Sequence, residues 1–190
     1  MIQSIRIAVA DSLELKKAFF SRNEALIAEV ALEIASALAR GNKVLLFGNG
    51  GSAADAQHLA AEWVGRFQRE RQPYPAVALT ANTSVLTAIG NDYGFDQVFA
   101  RQIRALGRKG DIAVAISTSG NSPNVLAAAD AALETGLVTI GLTGRDGGAL
   151  GPKVRYHLNV PHTHPARIQE VHIMIGHMLC ELAEADLKGL

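Results

Sequence analysis

His58 and Glu62 stand four residues apart, directly behind the turn Gly48-Asn49-Gly50-Gly51. At 3.6 residues per turn, an imidazole and a carboxylate so spaced share one helix face, together with Asp55 and Arg66. The glycine turn is flexible enough to aim successive backbone N–H groups into one concavity, an arrangement that binds anions. Phosphate capture beside acid–base or metal chemistry is what these residues offer. A second anion site is offered by Ser117-Thr118-Ser119-Gly120-Asn121-Ser122, followed by Pro123 at a helix start. One serine would serve an ordinary helix cap, whereas four hydroxyls in six residues point to a phosphate cradle. The plain alternative for His58 and Glu62 is a solvated ion pair, and for Arg66 and Asp92 an ordinary surface charge. His172 reads as a satisfied core histidine. His177, on the same helix, fits either a core or a functional place, and His157, His162 and His164 read as loop or surface residues.

The elements that must position these groups are legible from periodicity. An apolar run at residues 43–47 forms a first strand, and residues 52–67 form a helix. Its N-cap would be Ser52, with Asp55 in the capping-box position, and Ala56, Leu59, Ala60, Trp63, Val64 and Phe67 would form its apolar face. Further strands are expected at 76–80, 111–116, 137–142 and 156–160. Helices are expected at 84–89, 95–106, 123–134 and 165–188. Two more helices, 4–20 and 22–40, precede the first strand and are apolar on more than one face, which suits a subunit interface. Short, continuously apolar strands alternating with helices predict an α/β three-layer sandwich around a five-stranded parallel sheet. In such folds ligands bind at the carboxyl ends of the strands. The GNGGS, STSGNS and TGRDGG turns all follow strands, so they should meet at one sheet edge.

Composition sets the outer limits. The 190 residues are 48% hydrophobic and 19% charged, enough for one sizeable domain and too few for two ordinary ones. Eighteen Lys and Arg balance eighteen Asp and Glu, which argues against a general nucleic-acid or membrane-surface binder. The single Cys180 has no partner for an internal disulfide, no signal peptide opens the chain, and no apolar run spans a membrane. A cytoplasmic setting is expected. Gly48-x-Gly50-x-x-Ala53 fits a relaxed dinucleotide fingerprint, but the acidic residue that should end the second strand is missing, where Thr80-Ala81-Asn82-Thr83 stand instead.

GNGGSAADAQHLAAE, GNDYGF, ISTSGNS, LTGRDGG and ARIQEVHIMIGH, in that order, resemble the sugar isomerase (SIS) family with its flavodoxin-like sheet. Within it they are most similar to the bacterial phosphoheptose isomerases, over nearly the whole chain. The resemblance implies a single SIS domain over residues 1–190, with 1–40 as a helical oligomerisation segment. It implies aldose–ketose isomerisation of sedoheptulose 7-phosphate to D-glycero-D-manno-heptose 7-phosphate through an enediol, the first step toward the activated heptoses of lipopolysaccharide. Substrate contacts carried over by motif are Asn49, Gly50, Gly51, Ser52, Glu62, Asn91, Asp92, Ser117, Thr118, Ser119, Ser122 and Gln169. Glu62 and His177 would be catalytic. His58, Glu62, Gln169 and His177 would bind one zinc ion per subunit of a tetramer. Ala166 stands where some family members carry an acid. A related SIS protein binds the replication initiator and is not an isomerase, but it lacks the residues matching Glu62 and His177. Non-catalytic initiator binding is therefore the alternative reading, and a sugar-phosphate sensor is a third. One tension remains in the ligand set. Gln169 and His177 are eight residues apart on one expected helix, about 12 Å along its axis. Either that helix breaks near Gly176 or one ligand comes from another copy, and the apolar N-terminal helices favour the second.

Overall fold

The computed structural model describes residues 1–187. Five strands form one sheet, β1 (Val44–Gly48), β2 (Ala76–Ala78), β3 (Ile112–Ser117), β4 (Val138–Gly144) and β5 (Tyr156–Val160). Their order is β2-β1-β3-β4-β5 and every pairing is parallel. The register pairs Phe47 with Ala115 and Ile116 with Leu142, so β1, β3 and β4 end level with one another. The helices are α1 (Ile2–Ala39), α2 (Gly51–Val64), α3 (Thr83–Tyr93), α4 (Ala100–Leu106), α5 (Pro123–Thr135) and α6 (Pro165–Asp186).

Strand side chains alternate between two cores, as pleating requires. Val44, Leu46, Ile112, Val114 and Ile116 join α1, α2 and α6 on one face. Leu45, Phe47, Ala113 and Ala115 join α4 and α5 on the other. Both faces are covered, which is why the central strands are apolar throughout rather than alternating. The three-layer sandwich expected from the sequence is what forms.

Several local expectations need correcting. The two N-terminal helices are one helix of 38 residues. No glycine or proline interrupts residues 20–23, and the polar residues there bond back along the helix. Asn23 Nδ2 donates to the Phe19 carbonyl at 2.8 Å, and Ser21 Oγ to that of Ala18 at 3.3 Å. Only the second half of α1 is buried, through Phe19, Ile27, Val30, Ile34 and Leu38, while Ile2, Ile5, Ile7, Val9 and Leu13 are exposed. Ser52 is not the cap of α2. Gly50 takes that place at φ 57, the helix starts two residues earlier than the capping pattern implied, and Ser52 is buried under the turn. α2 stops at Val64, which is exposed, so Phe67 lies beyond it. α3 continues through Gly90 to Tyr93, capped at its start by Asn82, whose side chain accepts from the Val85 N–H. The expected helix over 95–106 divides into a 3-10 turn, Phe95–Gln97, and α4. α6 is unbroken from Pro165 to Asp186, and Lys188, the expected last residue, lies outside the described residues. Among the described residues no helix is long and apolar enough to cross a membrane.

Candidate active site

α2 and α6 lie side by side on one face of the sheet, and Gly176 lets them approach closely. A Cβ there would fall 2.5 Å from the Leu59 side chain. That approach brings His177 of α6 to His58 and Glu62 of α2. The two imidazoles face each other with Nε2 atoms 3.0 Å apart, and His58 Nε2 lies 3.2 Å from Glu62 Oε1. The ring of Phe67 stacks on His177 at 5.5 Å between centroids, with 29° between planes. His58 is half-exposed and Glu62 is 23% exposed, so the cluster opens to solvent.

One ligand atom from each of His58, Glu62 and His177 lies within 4.8 Å of the others. Two imidazole nitrogens and a carboxylate oxygen are a donor set that zinc accepts with a position left open. Metal bonds of about 2 Å at tetrahedral angles put neighbouring ligand atoms about 3.3 Å apart. The observed 3.0 and 3.2 Å separations match that spacing, so these residues fit a metal. One chain assembles all three, so of the two ligands that the sequence set too far apart on one helix, His177 belongs to the same chain as His58 and Glu62. Gln169 lies eight residues before His177 on the unbroken α6, about 12 Å along its axis. Its amide packs on the glycine turn, where a Cβ on Gly51 would meet Gln169 Nε2 at 2.5 Å.

The three polar turns meet at the carboxyl edge of the sheet, as expected. Asn49 in the first and Asn124 in α5 exchange a reciprocal pair of side-chain bonds at 2.8 and 2.9 Å. In the second turn, Ser117 Oγ sits 3.1 Å from Ser122 Oγ and 3.5 Å from Ser119 Oγ. Ser122 is the N-cap of α5 yet makes no side-chain cap bond, which leaves its hydroxyl available to a ligand. The third turn braces the second. Leu150 N–H donates to the Gly120 carbonyl and Ala149 N–H to Asn121 Oδ1, both at 2.9 Å. Its Arg145 is the only non-glycine at positive φ among the described residues.

Other candidates fall elsewhere. Asn91 and Asp92 are exposed on α3, where Asn91 Nδ2 donates to Asp92 Oδ1 at 2.8 Å. Arg66 lies past the end of α2 and pairs with Glu70 at 3.6 Å, away from the cluster. Asp55 makes no cap. Burial raises its pKa to about 6, with the nearby His58 charge pulling the other way, and its Oδ2 is buried without a partner. His172 is the core histidine expected. Burial lowers its pKa to about 4, and Nε2 must carry the proton because it donates to the Thr143 carbonyl at 2.9 Å. His157 is no loop residue, since it lies on β5 and meets Thr143 Oγ1 at 2.6 Å. Asn124, Arg71 and Glu184 shape the site and were not anticipated. Each acts through a partner distant in sequence, and no local spacing marks them.

A sequence profile described as "SIS domain" matches residues 9–144. The phosphoheptose isomerase of Aquifex aeolicus is 53% identical over 184 residues, which cover 97% of this chain and 96% of that one. The structure of a phosphoheptose isomerase from Neisseria gonorrhoeae superposes with a TM-score of 0.92 at 46% identity, covering 97% of this chain and all of that one. One from Francisella tularensis superposes with a TM-score of 0.93 at 39% identity, covering 97% and 98%.

Proposed function

Since the chain belongs to the SIS-domain family of phosphoheptose isomerases, we propose that it interconverts sedoheptulose 7-phosphate and D-glycero-D-manno-heptose 7-phosphate as one SIS domain. The observation that carries this reading is the His58–Glu62–His177 cluster, drawn from two helices and open to solvent. A purely binding SIS protein has no use for such a cluster, and initiator binding is not favoured.

The phosphate is anchored by the hydroxyls of Ser117, Thr118, Ser119 and Ser122 and by the backbone of Asn49, Gly50, Gly51 and Ser52, with Asn91, Asp92 and Gln169 left for the sugar hydroxyls. Anchoring a remote group spends binding energy on orienting the reacting carbons. Along α2, Gly51 and His58 are about 10 Å apart. That span suits a substrate with phosphate at one end and carbonyl at the other. Glu62 takes the proton from C1 of the ketose and returns it to C2, the former carbonyl carbon, and His177 moves the proton between the oxygens on those two carbons. His58, Glu62 and His177 would hold a zinc ion, one per subunit, which supplies charge stabilisation to those oxygens when bound. Incubating the purified chain with sedoheptulose 7-phosphate and following aldose formation tests the reading directly. No aldose formed, with zinc supplied, would reject it.

Ser119→Ala and Ser122→Ala each remove one hydroxyl from the cradle. A lost bond to a charged group should weaken binding by roughly 1.5–3 kcal/mol. The penalty should shrink for an analogue without the phosphate, and equal penalties for both ligands would place the phosphate elsewhere.

The eight-residue spacing of Gln169 and His177 along the unbroken α6 supports assembly as a homo-oligomer, with a tetramer as the expected state. In that arrangement Gln169 of the partner subunit completes the site. The exposed Ile2, Ile5, Ile7, Val9 and Leu13 of α1 supply an apolar surface for such contacts. Inactive Glu62→Gln and inactive Gln169→Ala proteins, dissociated and reassembled together, should then regain activity. A fully active monomer in sedimentation contradicts this, as does failed complementation in confirmed mixed oligomers. The neutral composition and the free, buried Cys180 support a cytoplasmic setting without nucleic-acid or membrane partners.

A further inference from the structure

The segment joining α2 to β2 holds a buried ion pair that the chemistry above does not use. Arg71 Nε donates to Glu184 Oε1 at 2.8 Å, with the two side chains 9% and 4% exposed. Glu184 also accepts three successive backbone N–H groups, from Phe67 at 3.2 Å, Gln68 at 3.0 Å and Arg69 at 3.1 Å. Arg71 passes the connection on to the end of α2. Its Nη2 donates to the Glu62 carbonyl at 2.9 Å, and Nη1 to those of Trp63 and Gln72 at 3.0 Å. Its guanidinium also lies 4.4 Å over the Tyr74 ring.

A buried ion pair is seldom a net source of stability, because desolvation offsets the attraction unless the remaining hydrogen-bonding capacity is filled. Here it is filled, and by backbone groups. The pair therefore fixes positions. At one end it holds the last carbonyls of α2, including that of Glu62. At the other it sits on α6 seven residues beyond His177, two turns along the same face. Between the two ends lies Phe67, whose N–H is held by Glu184 and whose ring stacks on His177.

We propose that Arg71 and Glu184, acting through Phe67, are positioning residues that set the spacing of α2 and α6 and the orientation of the His177 ring toward His58 and Glu62. This rests on the isomerase reading above. A brace that only held the fold together would affect stability alone. One that positions the cluster must change both metal affinity and the chemical step, as partners behind a metal ligand do.

The full chain and its Glu184→Gln, Arg71→Lys and Phe67→Leu variants should be compared by kcat and KM for sedoheptulose 7-phosphate, by Zn²⁺ affinity in chelator competition, and by thermal midpoint. Glu184→Gln and Phe67→Leu should each lose roughly 10–100-fold in kcat and in Zn²⁺ affinity, with KM little changed. Arg71→Lys should show the same loss, because an ammonium keeps the charge but not the planar fork that reaches several carbonyls. Should Glu184→Gln fail to fold, Phe67→Leu decides, since it keeps an apolar side chain and leaves both the ion pair and the backbone bond to Glu184 in place. Folded variants with undiminished kcat and Zn²⁺ affinity, or with a loss confined to KM or to the thermal midpoint, overturn the positioning role alone. An inactive wild-type chain overturns the isomerase reading, and the positioning role with it.

Discussion

Glu62→Gln is expected to cut turnover by roughly 10²- to 10⁴-fold, the usual contribution of a positioned general base. The substitution keeps the size of the side chain and most of its hydrogen bonds, including an oxygen facing His58 Nε2, now 3.2 Å from Glu62. What it removes is the ability to accept a proton at neutral pH. Because Glu62 is also a candidate metal ligand, the assay needs saturating Zn²⁺, so that lost occupancy does not pass for lost basicity. Exchange of solvent deuterium into C1 of the ketose and C2 of the aldose is the direct readout. Exchange at near wild-type rate under saturating substrate would move the base to another residue.

Gly120→Ala should be the most damaging single methyl group in the serine turn. Gly120 has φ 65, and a Cβ there would overlap the carbonyl oxygen of Gly147 on the bracing turn. A left-handed backbone at a residue with a side chain costs roughly 1–2 kcal/mol. Forcing an extra carbon into a packed contact costs typically 1–3 kcal/mol more. Together these amount to about 2–5 kcal/mol, which for a chain of this size lowers the thermal midpoint by roughly 4–20 °C. Phosphate affinity should fall as well, because the two turns cannot separate without losing the Leu150 and Ala149 bonds. Gly41→Ala is the control, since Gly41 has φ 80 at the end of α1 and nothing lies within 4 Å of the Cβ position. Calorimetry should show only the backbone cost there. Equal losses at both positions would mean that the contact with Gly147 is not the cause.

The parts of this molecule that were legible in the sequence are those set by neighbours in the chain. β5 was bounded correctly by its own composition, and Pro123 marked the start of α5 because proline suits a first helical turn. Asp55 shows where local reasoning fails. Three residues after Ser52 it completed a plausible capping box, but Gly50 closes the turn first and carries Asp55 inward to a partly buried place. Glu184 was invisible for a different reason. Burial alone would raise its pKa, but the Gln68 and Phe67 N–H groups and Arg71, more than a hundred residues earlier, hold it below the ordinary carboxylate range. No spacing rule spans such a distance. The grouping of His177 with His58 and Glu62 lies between these cases. Resemblance implied it, helix geometry put only the pairing of Gln169 with His177 in doubt, and the close approach of α2 and α6 at Gly176 supplies His177 from the same chain.

The length of α1 bears on the order in which the molecule is made. Its 38 residues extend about 57 Å, and the partners that hold its first half come from the opposite end of the chain. Ser12 donates to Glu170 at 2.6 Å across 158 residues, and Arg167 to the Ala8 carbonyl at 2.6 Å across 159. At a synthesis rate of roughly 5–20 residues per second, the amphipathic α1 waits about 8–30 s for α6. During that interval its apolar stripe has only solvent, chaperones or a neighbouring nascent chain to cover it. α6 thus closes both the core and the His58–Glu62–His177 cluster, and a chain truncated before α6 should aggregate rather than persist as a folded intermediate.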